Sequence, residues 1–437
     1  MKNRGTTEWL VLGLFCGALV LCIALDISIL YALGLGLALF WLYGRKKGFS
    51  WGELGRMTLE GVRTVRNILV TFLLIGVLTA LWRAAGTVPV IVCYAAGLIR
   101  PSIFLLMTFL LNSLVSVLTG TSFGTAATMG VICAAMGTAM GVSPVLTGGA
   151  ILSGVFVGDR CSPVSTSALL VAAVTETDIY DNIRRMLRSA LVPFLLCCGI
   201  YAILGLTAGA EGAGMDLEAV FGRAFRLHWT ALLPAAAIFL LALLRVNVKL
   251  AMTASILVAL PVCLILQGLS VRDLLLAAVR GFTPADPEAA ALVSGGGIVS
   301  MLRVGGIVCL SASYSGLFQK TGLLDGAKRL VERAAKRLGP YPATLLTSVL
   351  AGMVGTNQTL AILLTDQLCR DGYPDRERLA LDLEDTAVIT SPLIPWCIAG
   401  AVPLSTVGAP AASLLLACYL YLLPLWRTVK GRRRNGA

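Results

Sequence analysis

Charge is scarce in this chain. Only 13% of the 437 residues are Asp, Glu, Lys or Arg, against roughly 25% in an ordinary soluble protein, and 57% are hydrophobic. That balance excludes a soluble globular domain, and repeated apolar runs of about 17–20 residues match the hydrocarbon thickness of a bilayer. Histidine is almost missing: His228, beside Trp229, is the single one. It is expected to anchor a helix end at the membrane interface rather than to sense pH. The HExxH pattern is absent, and GxSxG occurs only as GTSFG (Gly120 to Gly124), set between apolar runs and not at a strand-to-helix elbow, so zinc-dependent and serine-dependent hydrolysis lack their groups. An intramembrane aspartyl protease would need a glycine where Phe156 stands ahead of Asp159, and the Tyr180-Asp181 pair follows that segment instead of preceding it. None of the twelve cysteines has CxxC spacing, so they read as small core residues and not as metal ligands or disulfides. The expectation is a membrane protein that is not an enzyme and carries no cofactor.

The charge that is present is unevenly placed. Lys and Arg number 35 against 23 acids, a formal +12, and in a membrane chain such an excess marks cytoplasmic loops rather than nucleic-acid binding. Basic clusters occur at Arg45, Lys46, Lys47, Arg56, Arg63 and Arg66; at Arg184, Arg185 and Arg188; at Lys328, Arg329, Arg333, Lys336 and Arg337; and in the tail from Arg427. All fit on the cytoplasmic side together with both termini, which leaves the acidic loop 208–220 (Glu211, Asp216, Glu218) outside. The basic start followed by an apolar run resembles a signal peptide without its small-residue cleavage site, and is expected to remain as the first helix. Asp26 reads as a turn, and the acids Glu176, Asp178 and Asp181 as a solvated cytoplasmic face. About ten to twelve spans are expected.

Inside the apolar chain lie two polar interruptions, GTSFGTAATMG from Gly120 and GTNQT from Gly355. Glycine and hydroxyl residues weaken a helix and supply oxygen atoms and bare backbone. Non-helical backbone at membrane depth is tolerated only where protein or a cavity covers it. The runs 146–157, 343–354 and 359–369 are too short to span as plain helices. Laid over one another, the stretch from Thr87 and the stretch from Leu323 superpose Gly120-Thr121-Ser122 on Gly355-Thr356-Asn357. Their opposite flanking charge predicts two inverted-topology repeats, a transporter pattern. The expected fold is therefore an all-α polytopic transporter with broken or re-entrant helices. Its divisions are an N-terminal helix pair and basic loop (1–67), a first repeat (68–207), an outer loop with linking helices (208–290), a second repeat (291–426) and a basic tail (427–437).

Each break is followed by acids: Asp159 and Arg160 in GDRCSPVSTS, and Glu384 and Asp385 in LEDTAVITSPLIPW. Intramembrane acids cost roughly 2.5–3.5 kcal/mol on insertion scales and mark function by default. Carboxylate, hydroxyl and carbonyl oxygens suit a hard cation. The expected ion site uses Asp159 and Asp385 as Na+ ligands, with Thr121, Ser122, Asn357, Ser162, Thr390 and Ser391. Asp366, Glu384, Thr125, Thr356 and Arg303 are secondary candidates. Hydroxyls in membrane helices also bond the preceding turn, and Asp159 beside Arg160 also reads as a structural ion pair. Glu384 and Asp385 are adjacent and point apart, and Asp385 is favoured for the site. Arg303, flanked by apolar chain, calls for an acid partner or a substrate carboxylate.

The segments TGTSFGTAATMGV (Thr119 to Val131), GAILSGVFVGDRCSP (Gly149 to Pro163) and LEDTAVITSPLIPW (Leu383 to Trp396) resemble the NhaC-type sodium/proton antiporters of the bacterial ion-transporter superfamily. The resemblance covers most of the chain. It implies secondary exchange of Na+ for H+ across the bacterial cytoplasmic membrane by alternating access, with a small organic acid in place of one ion in some members. Two departures stand out. The family commonly has an Asp just after the Ser-Pro of the second segment, where Thr166 and its neighbours carry none. It usually has an Asn after the Pro-Trp of the third, where Cys397 stands. With Arg303 present, exchange of a small organic anion becomes the alternative to plain sodium/proton exchange. A homodimer is left open.

Overall fold

The computed structural model describes residues 2–25, 27–98, 100–207, 216–244, 246–323, 339–355 and 357–435. Asp26, Glu211, Thr356 and the basic residues Lys328, Arg329, Arg333, Lys336 and Arg337 lie outside the described residues. The chain is helical throughout, and the β feature among the described residues is a single antiparallel bridge between Phe282 and Gly295. Among the described residues six helices are long and apolar enough to cross a membrane, or up to eight when two bent pairs are each taken as one span. Several of the apolar runs behind the ten to twelve expected spans form shorter helices. Thr87–Leu98 and Gln358–Cys369 each have 12 residues.

The N-terminal helices Lys2–Ala24, Ile29–Lys46 and Trp51–Thr64 gather around the long helix Ile298–Thr321. Phe40 meets Tyr314 and Phe318 edge-on at ring separations of 5.0 and 4.8 Å. Such aromatic pairs add about 0.5–1.5 kcal/mol beyond their buried area. The ends of Trp51–Thr64 carry a different chemistry. Ser50 and Glu53 cap its first turn reciprocally, and Glu60 on its outer face accepts from Lys320 Nζ at 2.6 Å. Those contacts hold both Glu53 and Glu60 below the usual carboxylate range, through the Ser50 backbone bond and the Lys320 ammonium respectively.

Both polar interruptions are turns between antiparallel helices. Helix Pro101–Thr119 stops at Gly120, whose φ of 64° is left-handed and suits glycine, and Thr121 caps the next helix. The chain then doubles back, so that Asn112 Nδ2 lies 3.5 Å from Cys133 Sγ. Helix Pro340–Gly355 is followed by Asn357, which caps Gln358–Cys369. There the return is marked by Thr344 Oγ1, 2.9 Å from Tyr373 Oη. The capping residue is Thr121 in the first hairpin and Asn357 in the second, so the overlay read from sequence is off by one residue at the cap.

The run expected to be too short at 146–157 is instead the inner part of one continuous helix, Pro144–Cys161. It lies against Pro101–Thr119 so closely that a Cβ on Gly158 would stand 1.9 Å from the Ser116 carbonyl carbon. Backbone cannot move aside as a side-chain tip can, so Gly158→Ala should cost at least the ~1–3 kcal/mol typical of overpacking. Gly199→Ala, with nothing within 4 Å of its Cβ position, should melt like wild type. Thermal melting of the two purified variants, followed by loss of the monodisperse gel-filtration peak, checks this.

Candidate functional site

The hairpin tips meet. Between them lies a cavity of about 540 Å³, lined on one side by Gly120, Thr121, Ser122 and Thr128 and on the other by Asn357, Gln358 and Thr359. Among the described residues, Asp159 is the one carboxylate on its wall and Lys249 the one cation. Asp159 comes from the last turn of Pro144–Cys161 and is 4% exposed. Gln358 Nε2 donates to its Oδ2 at 2.9 Å and the Ser167 hydroxyl at 3.3 Å. Ser167 Oγ also lies 2.9 Å from Gln358 Oε1, so its one hydroxyl hydrogen is shared between the two acceptors in a three-membered network. The acid is thus bonded to the second hairpin tip through Gln358, while the first tip, with Thr121 and Ser122, lines the same cavity.

Of the residues expected at an ion site, Asp159, Thr121, Ser122 and Asn357 are brought together here. The others are not. Asp385 faces away from the cavity and pairs with Arg160 Nη2, both side chains fully buried, while Arg427 Nε approaches its second oxygen at 2.6 Å. Arg427 Nη2 also bonds Asp382 Oδ1 at 2.5 Å, and Tyr373 donates to Asp382 Oδ2 at 2.9 Å. Two arginines and two aspartates form a buried ladder without net charge, tied to the helix Ile179–Thr207 through Ser189, 2.7 Å from Arg160 Nη2. The Asp159–Arg160 ion pair weighed from sequence is absent, because successive helical residues point about 100° apart. Glu384 is fully buried, and both its carboxyl oxygens lack a hydrogen-bond partner among the described residues.

The remaining hydroxyls serve the backbone. Ser162 donates to Val117 O at 2.7 Å, Thr125 to Thr121 O at 2.8 Å and Ser391 to Ala387 O at 2.6 Å, while Thr390 meets Ser348 at 3.1 Å. Asp366 is paired with Arg370 at 2.5 Å, at the far end of the second hairpin. Arg303 is exposed on Ile298–Thr321 and is not among the residues that line this cavity. Sequence reasoning missed Gln358, Ser167 and Lys249. Gln358 directly follows Asn357 in the second break, and Ser167 sits in the segment where the resembled family carries an acid. At that family position Thr166 lines the cavity.

Six to eight candidate spans among the described residues, with two hairpin tips lining a cavity that holds a buried carboxylate, are the architecture of a multi-pass membrane carrier. The chain belongs to the Na+/H+ antiporter family, which matches residues 5–175 and 154–426. It is 30% identical to the malate-2H+/Na+-lactate antiporter of Bacillus subtilis (strain 168), over 93% of this chain and 89% of that one. It is 28% identical to the Na+/H+ antiporter NhaC of the same organism, over 86% of each chain. The Na+/H+ antiporter NhaC of Alkalihalophilus pseudofirmus is 27% identical over 89% of this chain and 87% of its own.

Proposed function

We propose that the protein exchanges Na+ for H+ across the bacterial cytoplasmic membrane, with Asp159 as the carboxylate that Na+ and the proton occupy in turn. The observation that carries this is the position of Asp159, the one acid among the described residues of a cavity lined by both hairpin tips. Its carboxylate, the hydroxyls of Thr121 and Ser122 and the amide oxygen of Asn357 supply the hard oxygen donors that Na+ prefers. A carboxylate cannot hold a proton and coordinate the cation with the same charge, so binding of one releases the other.

The two hairpins would be the re-entrant elements of inverted repeats, entering from opposite faces of the membrane. Asn67, on the cavity wall, directly follows the basic segment that ends at Arg66. By the positive-inside bias that wall belongs to the cytoplasmic half, with both termini cytoplasmic. Alternating access would then consist of one tip moving against the other around Asp159, which breaks and remakes the Gln358–Asp159 bond. The protein acts as a transporter, with Na+ and H+ as cargo and no resident cofactor. A small organic acid as an exchanged solute is the second reading. A cavity of about 540 Å³ has room for it, and one relative is named for malate and lactate.

The test uses inside-out vesicles from cells lacking their own antiporters. A pH-sensitive dye should report recovery of the imposed pH difference when Na+ is added to vesicles holding the wild-type protein, and none when K+ replaces Na+. Equal responses to the two ions, or no response from correctly inserted protein, would reject Na+/H+ exchange.

A further inference from the structure

A site built for Na+ alone has no use for a cation on its wall, and this cavity has one. Lys249 lines it and makes no ion pair among the described residues; its ammonium donates to the neutral Asn67 Oδ1. Lys249 belongs to the first turn of the helix that begins at Val248 and is capped by Asn247, also on the cavity wall. The helices beginning at Ser122, Thr166 and Gln358 turn their N-termini to the same space. Each such terminus is worth about +0.5 charge. With Lys249 the lining stays positive even when Asp159 is ionised. The volume is also out of proportion to a bare ion: a water-sized occupant takes about 30 Å³, against about 540 Å³ here.

We propose that Lys249 and Asn67 form a subsite for the carboxylate of a small organic acid, bound in the same cavity as the Na+ at Asp159. The carboxylate takes the ammonium of Lys249, accepting the N–H that Asn67 now accepts, and its charge offsets the surplus of helix N-termini. Na+ at Asp159 and the carboxylate at Lys249 then neutralise one another across the cavity, so each binds better when the other is present. This rests on the assignment of Na+ to Asp159 and adds the chemistry of the second solute and the residues that select it.

The experiment uses the purified full-length protein in nanodiscs. Binding of ²²Na+ is measured with and without glycolate, L-lactate or succinate, with chloride salts at equal ionic strength as the control. Binding of the ¹⁴C-labelled acids is measured with and without Na+. In wild type at least one acid should tighten Na+ by about tenfold, and Na+ should tighten that acid by the same factor, since binding coupling is reciprocal. In Lys249→Met the ratio should fall to one, and Lys249→Arg should restore part of it, which a merely structural role for Lys249 would not produce. Gel filtration and thermal melting confirm that both variants are folded. Wild type that binds Na+ identically with every acid and with chloride overturns the subsite, as does a Lys249→Met protein whose ratio equals that of wild type. Acid binding that needs Lys249 in a protein indifferent to Na+ would support the subsite and instead remove Na+ from Asp159.

Discussion

Asp159→Asn is expected to abolish Na+-driven pH recovery while leaving a folded protein. Asparagine keeps the size of the side chain and an oxygen that accepts from Gln358 Nε2, now 2.9 Å from Asp159 Oδ2. The network with Ser167 therefore survives, and the melting temperature should stay close to wild type. What is lost is the one negative charge that the described residues place on the cavity wall. A charge pair a few ångströms apart at an effective dielectric near 20 is worth about 4 kcal/mol, so a loss of at least ~100-fold in Na+ affinity is expected. Asp159→Glu should retain partial exchange, because the carboxylate remains but its reach is longer by one methylene. The vesicle assay reads both variants. Near-normal exchange by Asp159→Asn would move the ion site elsewhere, with buried Glu384 the first place to look.

The second large effect concerns the buried ladder. Arg160→Met leaves Asp385 and Asp382 with only Arg427 between them, an uncompensated charge in a fully buried setting. Breaking such a pair costs about 3–5 kcal/mol, enough to remove most folded protein. The double variant Arg160→Met/Asp385→Leu leaves Arg427 with Asp382, again without net charge, and should recover much of the lost thermal stability. Melting temperatures of wild type, both single variants and the double variant give the coupling directly. Additive losses would mean that Arg160 and Asp385 are not energetically paired. If the stabilised double variant still exchanges Na+ for H+, Asp385 is structural and not an ion ligand.

Much of the site could be read from the residues, and the limit has a physical cause. The two glycine–threonine breaks and Asp159 stand out because glycine, hydroxyls and acids are expensive in apolar helices. Their meeting at one cavity follows from the hairpins they terminate. Asp385 was favoured over Glu384 for the site and instead joins the arginine ladder, because neighbours on a helix differ by a rotation whose phase depends on distant partners. Here those partners are Arg160 and Arg427, far away in sequence. Gln358 was hidden for a similar reason: an amide beside a cap carries no signal until the helix Pro144–Cys161 brings Asp159 to it. The number of spans is hard to read because apolar content says how greasy a run is, while helix length in the fold decides whether it crosses.

The central claim is that Na+ and the proton compete for Asp159. The most direct test is ²²Na+ binding to purified wild-type protein across a range of pH, with proton release followed in weakly buffered solution. Competition for one carboxylate predicts that Na+ affinity falls by about tenfold for each pH unit below the point where Asp159 takes up its proton, and that one proton leaves per Na+ bound. Na+ affinity that does not change with pH, with no proton released on binding, would contradict it.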